Sequence, residues 1–456
     1  MAKNYGDFRI VEKEDGEVYF CRRTIVDGKP ANYNNEEIVI VPSEVTIIDK
    51  SCFERYPVKE VVLPDNLKEI KPYAFARSSL IKVSIPKNVK SLGWDAFSRC
   101  CDLTTLHIPV ETSLNEIPND CFSMAGLTEI NLPEAIKKVG ECAFSNCEKL
   151  VKVVIKGAES LELGAFGNCF NLESVTLPSM LKRIEQSAFV SCFNLPTVHI
   201  PNGVEFIGSY AFSECKSLTT VSLPQSLKSI EEGAFRNCTS LTSVDIPSKV
   251  KNIPKLCFSG CSNLQNISLG NVKEIKERAF DRCMIKHLVL PQSTERICKY
   301  AFEYCTALVS VDVEDGENSL TIGESAFTKC TQLNTVALTN RVSDIQRRAF
   351  EYCKSLKSFY IPDSISIISH GTFCNCSSLE KAIIPESVNT IDMQAFEACV
   401  NLKNLYIPSS VVNIYPTAFE SCENMTVYYN KDNWLLANAR KIPAQMQKDN
   451  IRFVCV

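Results

Sequence analysis

Histidine is scarce in this chain: His107, His199, His287 and His370 are the four among 456 residues. Three of them fall at outward positions of short strand-like segments in separate repeats. His107 and His199, four repeats apart, would be roughly 19 Å from each other at ~4.8 Å per strand. No shared ion could reach both, because metal–ligand bonds are about 2 Å long. Glycine numbers only 17, and no Gly-x-x-x-x-Gly-Lys phosphate loop, Gly-x-Ser-x-Gly elbow or His-Glu-x-x-His pair occurs. No apolar run approaches the roughly 18 residues of a spanning helix. The opening residues Met1 to Ile10 hold no hydrophobic segment of signal-peptide type. The net charge of −4 lacks the concentrated basic stripe of a nucleic-acid binder. These absences speak against an enzyme, a cofactor, a metal centre, a nucleic-acid partner and membrane insertion. The chain as written is expected in the cytoplasm, with the cell surface or unconventional secretion as the alternative.

What the chain does have is one sentence written many times. Residues 234–258 begin on an Ala-Phe pair and run through Cys238, Leu241, Val244, Ile246, Pro247, Val250 and Ile253 to Phe258. Equivalent phenylalanines recur from Phe53 to Phe419, seventeen in all, spaced by 22 or 23 residues apart from two gaps of 25. Leu241, Val244 and Ile246 read as a short strand with one buried face. Pro247, matched in thirteen copies from Pro42 to Pro408, ends that strand because it has no N–H to donate. A single copy is too short to bury its own apolar face, so stacked copies must share one core.

The unit Leu-x-x-Val-x-Ile-Pro-x-x-Val-x-x-Ile-x-x-x-Ala-Phe-x-x-Cys resembles the BspA-like leucine-rich repeat over roughly residues 38–429. Departures are local: Phe53, Phe122 and Phe258 follow Cys, Phe373 follows Thr, and the copies of Phe53, Phe75 and Phe122 lack the later cysteine. The resemblance implies a single elongated right-handed repeat solenoid. Its coils would present one parallel β-sheet face, with short turns or helical corners on the other. It also implies a binding role, with adhesion or host interaction as the theme. Residues 1–37, with Asp15-Gly16 between two apolar stretches, are expected to form an N-terminal β-hairpin cap. Residues 430–456 are expected to be the C-terminal cap, with a short helix over 434–440 started by Asp432 or Asn433. A final strand over 451–456 would pair with the last coil.

Cysteine is abundant, at 23, and periodic. Fourteen, from Cys100 to Cys422, stand three residues after a corner phenylalanine. Stacking would bring neighbours to about 5 Å, within disulfide reach by Cα distance alone. The odd total and the absent leader favour reduced thiols packed as small hydrophobes. Seven lysines (68, 90, 137, 182, 228, 251 and 273) stand seven residues before their phenylalanine. Glu69, Glu205, Glu274 and Glu295 interrupt that rim, so it reads as a solvated edge.

The outward strand position carries the functional expectation. It runs from Ile40 and Val62 through a small, polar middle to Tyr360, Ile383, Tyr406 and Tyr428. Three tyrosines and an isoleucine on adjacent strands suit a contact surface, and Ser358, Lys381, Asn404 and Thr426 would supply hydrogen bonds around them. The expected protein is a non-enzymatic monomeric scaffold that binds a protein or glycan partner there. An intracellular assembly or sensing scaffold is the alternative.

Overall fold

In the coil of residues 234–258, Ser243–Asp245 is a strand, and the Val250 N–H closes a tight turn on the Pro247 carbonyl at 2.9 Å. Asn252–Ile253 then forms a second, two-residue strand before the chain turns through Phe258. Leu241, Val244, Ile246, Val250, Ile253 and Phe258 are all buried. The long strand pairs in parallel with Asn266–Ser268, and the short one with Glu274–Ile275. Equivalent residues therefore sit directly above one another, and the apolar face that one copy cannot bury is buried by the next. The computed structural model describes residues 2–22, 25–26, 29–30, 37–423, 425–430 and 451–456. Its repeats are coils of a parallel β-solenoid of about seventeen turns. The short strands add a second parallel ladder beside the expected sheet face.

The corners are turns, not helices, and no helix occurs among the described residues. At Phe122 the N–H groups of Asp120, Phe122 and Met124 donate to the carbonyls of Glu141, Ala143 and Ser145 in the next coil, each at 2.8 Å. The intervening Cys121 and Ser123 donate within their own coil, to Pro118 and Asp120. An α-helix needs successive N–H groups to bond four residues back; here every second one leaves for the neighbouring coil. Left-handed backbone makes this possible. Residues two before and two after the phenylalanine have positive φ at every corner from Phe53 to Phe396, for example Asp120 at 53° and Met124 at 58°. Gly, Asn, Ser, Arg, Tyr and others occupy these positions, but never Val, Ile or Thr. A β-branched side chain is the costliest choice there.

The coils divide into two units, residues 1–226 and 227–456. Within the first, the corner rings from Phe53 to Phe212 stack at 4.8 to 5.5 Å, with planes as little as 2° apart at Phe75–Phe97. Phe8–Glu12 and Val18–Arg22 form the expected hairpin around Gly16, whose φ is 77°. Ala2–Tyr5 adds an unanticipated third strand to it. Phe8 and Phe20 extend the ring column onto Phe53, at 4.7 and 6.1 Å. The Tyr56 hydroxyl donates to the buried Asp7 carboxylate at 2.5 Å. The hairpin joins the short-strand ladder through Ile47–Ile48, so among the described residues Ile38–Ile40 is the outer strand of the long-strand sheet.

Within the second unit the column runs from Phe235 to Phe419 at 5.3 to 6.0 Å. Its widest gap, Phe350–Phe373, is where Phe359 packs across both rings at 5.1 and 4.6 Å. Arg452–Cys455 pairs in parallel with Thr426–Tyr429 and supplies the expected last strand. The helix expected over 434–440 lies outside the described residues.

The fourteen ladder cysteines are buried. They do more than fill space. Cys147 Sγ donates to the Phe122 carbonyl of the preceding coil at 3.2 Å, and Cys169 to that of Phe144 at 3.2 Å. The pattern repeats through Cys422 on Phe396 at 3.0 Å. Most corner carbonyls already accept the N–H three residues on, as Phe122 does from Ala125. The thiol occupies its second lone pair, which a purely apolar residue would leave unmet. Burial pushes the Cys147 and Cys215 thiols up to about 12.

Candidate functional site

Alternation along the long strand decides which side chains face out. In the last coils Phe359, Ala382, Leu405 and Val427 point inward and are buried. Their neighbours Tyr360, Ile383, Tyr406 and Tyr428 therefore point outward. Tyr360 is 58 % exposed, Ile383 38 % and Tyr406 45 %, while Tyr428 is half-buried. Backbone pairing sets them in one row: Tyr360 opposite Ile383, Ile383 opposite Tyr406, and Tyr406 opposite Tyr428. The row that the sequence suggested is thus brought together.

The row continues one strand further than expected. Val454 stands opposite Tyr428 and is 39 % exposed. Its strand was legible as an alternation, but nothing local fixed its register against Tyr428. Around this apolar line, Ser358, Lys381 and Asn404 are exposed and Thr426 is half-buried. They occupy the other outward position of each strand, with Ser358 opposite Lys381 and Asn404 opposite Thr426. The Lys381 ammonium lies 5.9 Å from the Tyr360 ring centroid, at the outer range of a cation–π contact. The result is an aromatic strip with hydroxyl, amide and ammonium groups along one margin. Its chemistry is contact and hydrogen bonding, with no nucleophile–base pair within it.

The first long strands of the first unit are apolar on their outward side as well. Ile38, Ile40 and Val62 are 61, 72 and 47 % exposed on the paired strands Ile38–Ile40 and Glu60–Val62. Beside them Glu60, Lys82, Ser84 and His107 border an open groove of about 410 Å³. Ser84 and His107 stand on paired strands, yet no hydrogen bond joins them among the described residues.

The remaining sequence candidates stay apart. His107, His199 and His287 are exposed on separate strands; His287 Nδ1 sits 3.1 Å from Ser310 Oγ. Among the described residues no group of three metal-ligating side chains is assembled. The lysine rim is partly neutralised: Lys68 pairs with Glu17 at 2.9 Å and Lys273 with Glu295 at 3.0 Å. Hydrogen bonds from Thr46 and Lys68 hold the Glu17 carboxyl below its ordinary value. No helix among the described residues is long and apolar enough to cross a membrane.

The sequence matches the model of the BspA type leucine rich repeat region in overlapping segments at residues 31–151, 115–204, 182–309 and 307–426. Among solved structures, a leucine-rich repeat protein from Bacteroides ovatus is similar at 24 % identity. The match covers 94 % of this chain and 99 % of that one, with a TM-score of 0.54. A leucine rich cell surface protein from Faecalibacterium prausnitzii is also 24 % identical. That match covers 94 % of each chain, with a TM-score of 0.35. No curated protein matches the sequence.

Proposed function

Since this chain belongs to the BspA-type leucine-rich repeat family, we propose that it is a non-enzymatic recognition scaffold whose contact surface is the outward strand face of its last coils. The observation that carries this reading is the row Tyr360–Ile383–Tyr406–Tyr428, extended by Val454, on strands held in register by the backbone. From Ser84 to Ala337 the outward positions are largely small or polar, and a contiguous exposed aromatic strip marks an interaction site. The partner is a protein or glycan, engaged through tyrosine faces and hydroxyls with little loss of side-chain entropy. The rigid β-ladder beneath presents the row without reorganisation, which lowers the cost of binding.

The test is capture by the immobilised full chain from extracts of its source cells and from their surroundings. The Tyr360→Ala/Tyr406→Ala variant should fold normally and lose the captured partner. Unchanged capture by the folded variant moves the site elsewhere. Unfolding of the variant means that the tyrosines support the core. We also propose a reducing compartment for the scaffold, a reading supported by its periodic, buried thiols. Thiol titration tests that placement: few groups should react in the native chain and nearly all after denaturation without reductant.

A further inference from the structure

On the short-strand side of the first unit lies an open cavity of about 430 Å³. It is lined by Trp94, Glu116, Asn119, Asp120, Lys138 and Gly140, among others. Its volume falls in the range of about 300–1,000 Å³ usual for small-molecule sites. Four residues before the corner phenylalanine, three consecutive coils here carry Gly93, Pro118 and Gly140, where others carry a long side chain such as Lys71 or Glu162. A Cβ on Gly140 would lie 2.7 Å from Asn119 Oδ1 and 2.8 Å from Pro118 C, so the position has no room for a side chain.

One wall is an indole. Trp94 is 47 % exposed and is braced edge-on by Tyr73, with ring centroids 4.5 Å apart. A large exposed aromatic that is held in place is a ready stacking platform. Around it stand hydrogen-bonding groups of both kinds. Asn119 Oδ1 already accepts the Glu141 N–H at 3.0 Å, which leaves its amide N–H groups as donors. Lys138 adds an ammonium donor, and Glu116 and Asp120 add carboxylate acceptors. Among the described residues neither carboxylate is engaged in an ion pair or a side-chain hydrogen bond. Burial, followed by the neighbouring Asp95 and Glu141 carboxylates, pushes the Asp120 carboxyl up.

We infer that this cavity is a saccharide-binding subsite, in which a neutral sugar ring stacks its C–H face on Trp94 and shares hydroxyl hydrogen bonds among Asn119, Asp120, Glu116 and Lys138. The mixture of donors and acceptors decides the class. A quaternary ammonium would gain from the indole and the carboxylates but would meet the Lys138 charge. An anion would meet Glu116 and Asp120. A neutral polyol satisfies both kinds of group at once. The subsite stands apart from the tyrosine row and does not depend on it.

Trp94 is one of two tryptophans in the chain, the other being Trp434. In the full chain carrying Trp434→Phe, emission therefore reports Trp94 alone. Cellobiose, maltose, lactose and chitobiose are the probes, with tetramethylammonium chloride as the cationic control. Titration calorimetry on the unmodified chain is the second readout. At least one disaccharide should give a saturable spectral shift and a matching heat. Asp120→Asn should weaken it about tenfold, the scale of one charge-assisted hydrogen bond, and Trp94→Ala should abolish the heat. Trp94→Phe, which keeps a smaller platform, should retain weakened binding. Tyr360→Ala/Tyr406→Ala should bind the sugar unchanged, which separates this subsite from the strand-face proposal. Silence from all four disaccharides overturns the inference. So does an equal heat in Trp94→Ala, or saturation by tetramethylammonium in place of sugar.

Discussion

Corner positions hold phenylalanine in all seventeen copies, with rings stacked nearly parallel within each unit. Outward positions on the long strands of the same coils run from Ile40 through His107, Asp245 and Ala337 to Tyr428. The two regions share one backbone ladder and differ only in what each side chain meets. At the corner every side chain meets its own copy, so one ring size satisfies all coils and any change is felt above and below. On the strand face each side chain meets solvent and its two lateral neighbours, so the ladder stands whichever residue is chosen. Fold and surface chemistry are therefore carried by different positions of one repeat, and the face can vary without cost to the core.

Four measurements would sharpen or break that contrast, beginning with the largest effect. Eleven of the buried ladder thiols are held above the ordinary thiol value, near 12 for Cys147 and Cys215, whereas an unfolded thiol titrates at about 8.5. The native state thus keeps protons that the unfolded chain gives up. The stability this represents is fully present below about pH 8.5 and is lost as pH rises toward the folded value. Each such thiol withdraws up to about 1.4 kcal/mol per pH unit above that point, and many act together. Chemical denaturation followed across pH should show a steep loss beginning near pH 9. A flat profile to pH 10 would mean the ladder is open to solvent.

Next, Phe258→Ala removes a ring that lies 5.5 Å from Phe235 and 5.3 Å from Phe280. It should cost about 3–5 kcal/mol in the unfolding free energy. A loss under about 1 kcal/mol would show that the column does not carry the core.

A smaller effect belongs to the corner backbone. Arg99 is exposed with φ at 59°, and its N–H donates to the Ser123 carbonyl at 2.7 Å. Arg99→Val should cost about 1–3 kcal/mol although no buried contact is removed, because a β-branched residue resists the left-handed region. Arg99→Gly should stay within about 1 kcal/mol of the parent. Equal costs for the two variants would mean that the corner relaxes out of that conformation.

The smallest effect is expected on the strand face. Tyr360→Ala/Tyr406→Ala should shift the unfolding midpoint little while weakening partner capture, each buried interface tyrosine being worth about 2 kcal/mol. A midpoint shift as large as that of Phe258→Ala would erase the distinction between corner and face.

By itself the sequence determined the repeat, the inward set and the outward row. Those follow from periodicity, because a residue recurring every 22 or 23 positions must meet its own copy, and alternation within a strand assigns each side chain to one face. Leu241, Val244 and Ile246 were legible as inward and Tyr360, Ile383 and Tyr406 as outward, while whether the C-terminal cap covers the outward row was not. The tertiary structure alone decided what depends on bonds between coils. The corners are left-handed turns because alternate N–H groups find carbonyls in the next coil, a partner invisible to local helix propensity. The cysteines are thiol donors because the phenylalanine carbonyl of the preceding coil lies within reach, some 25 residues back in the chain. Val454 joins the tyrosine row, and Trp94 comes to overlook a hollow lined by Pro118 and Gly140, through register between strands. Spacing says which residues face the same way; only the stacked backbone says which atoms meet.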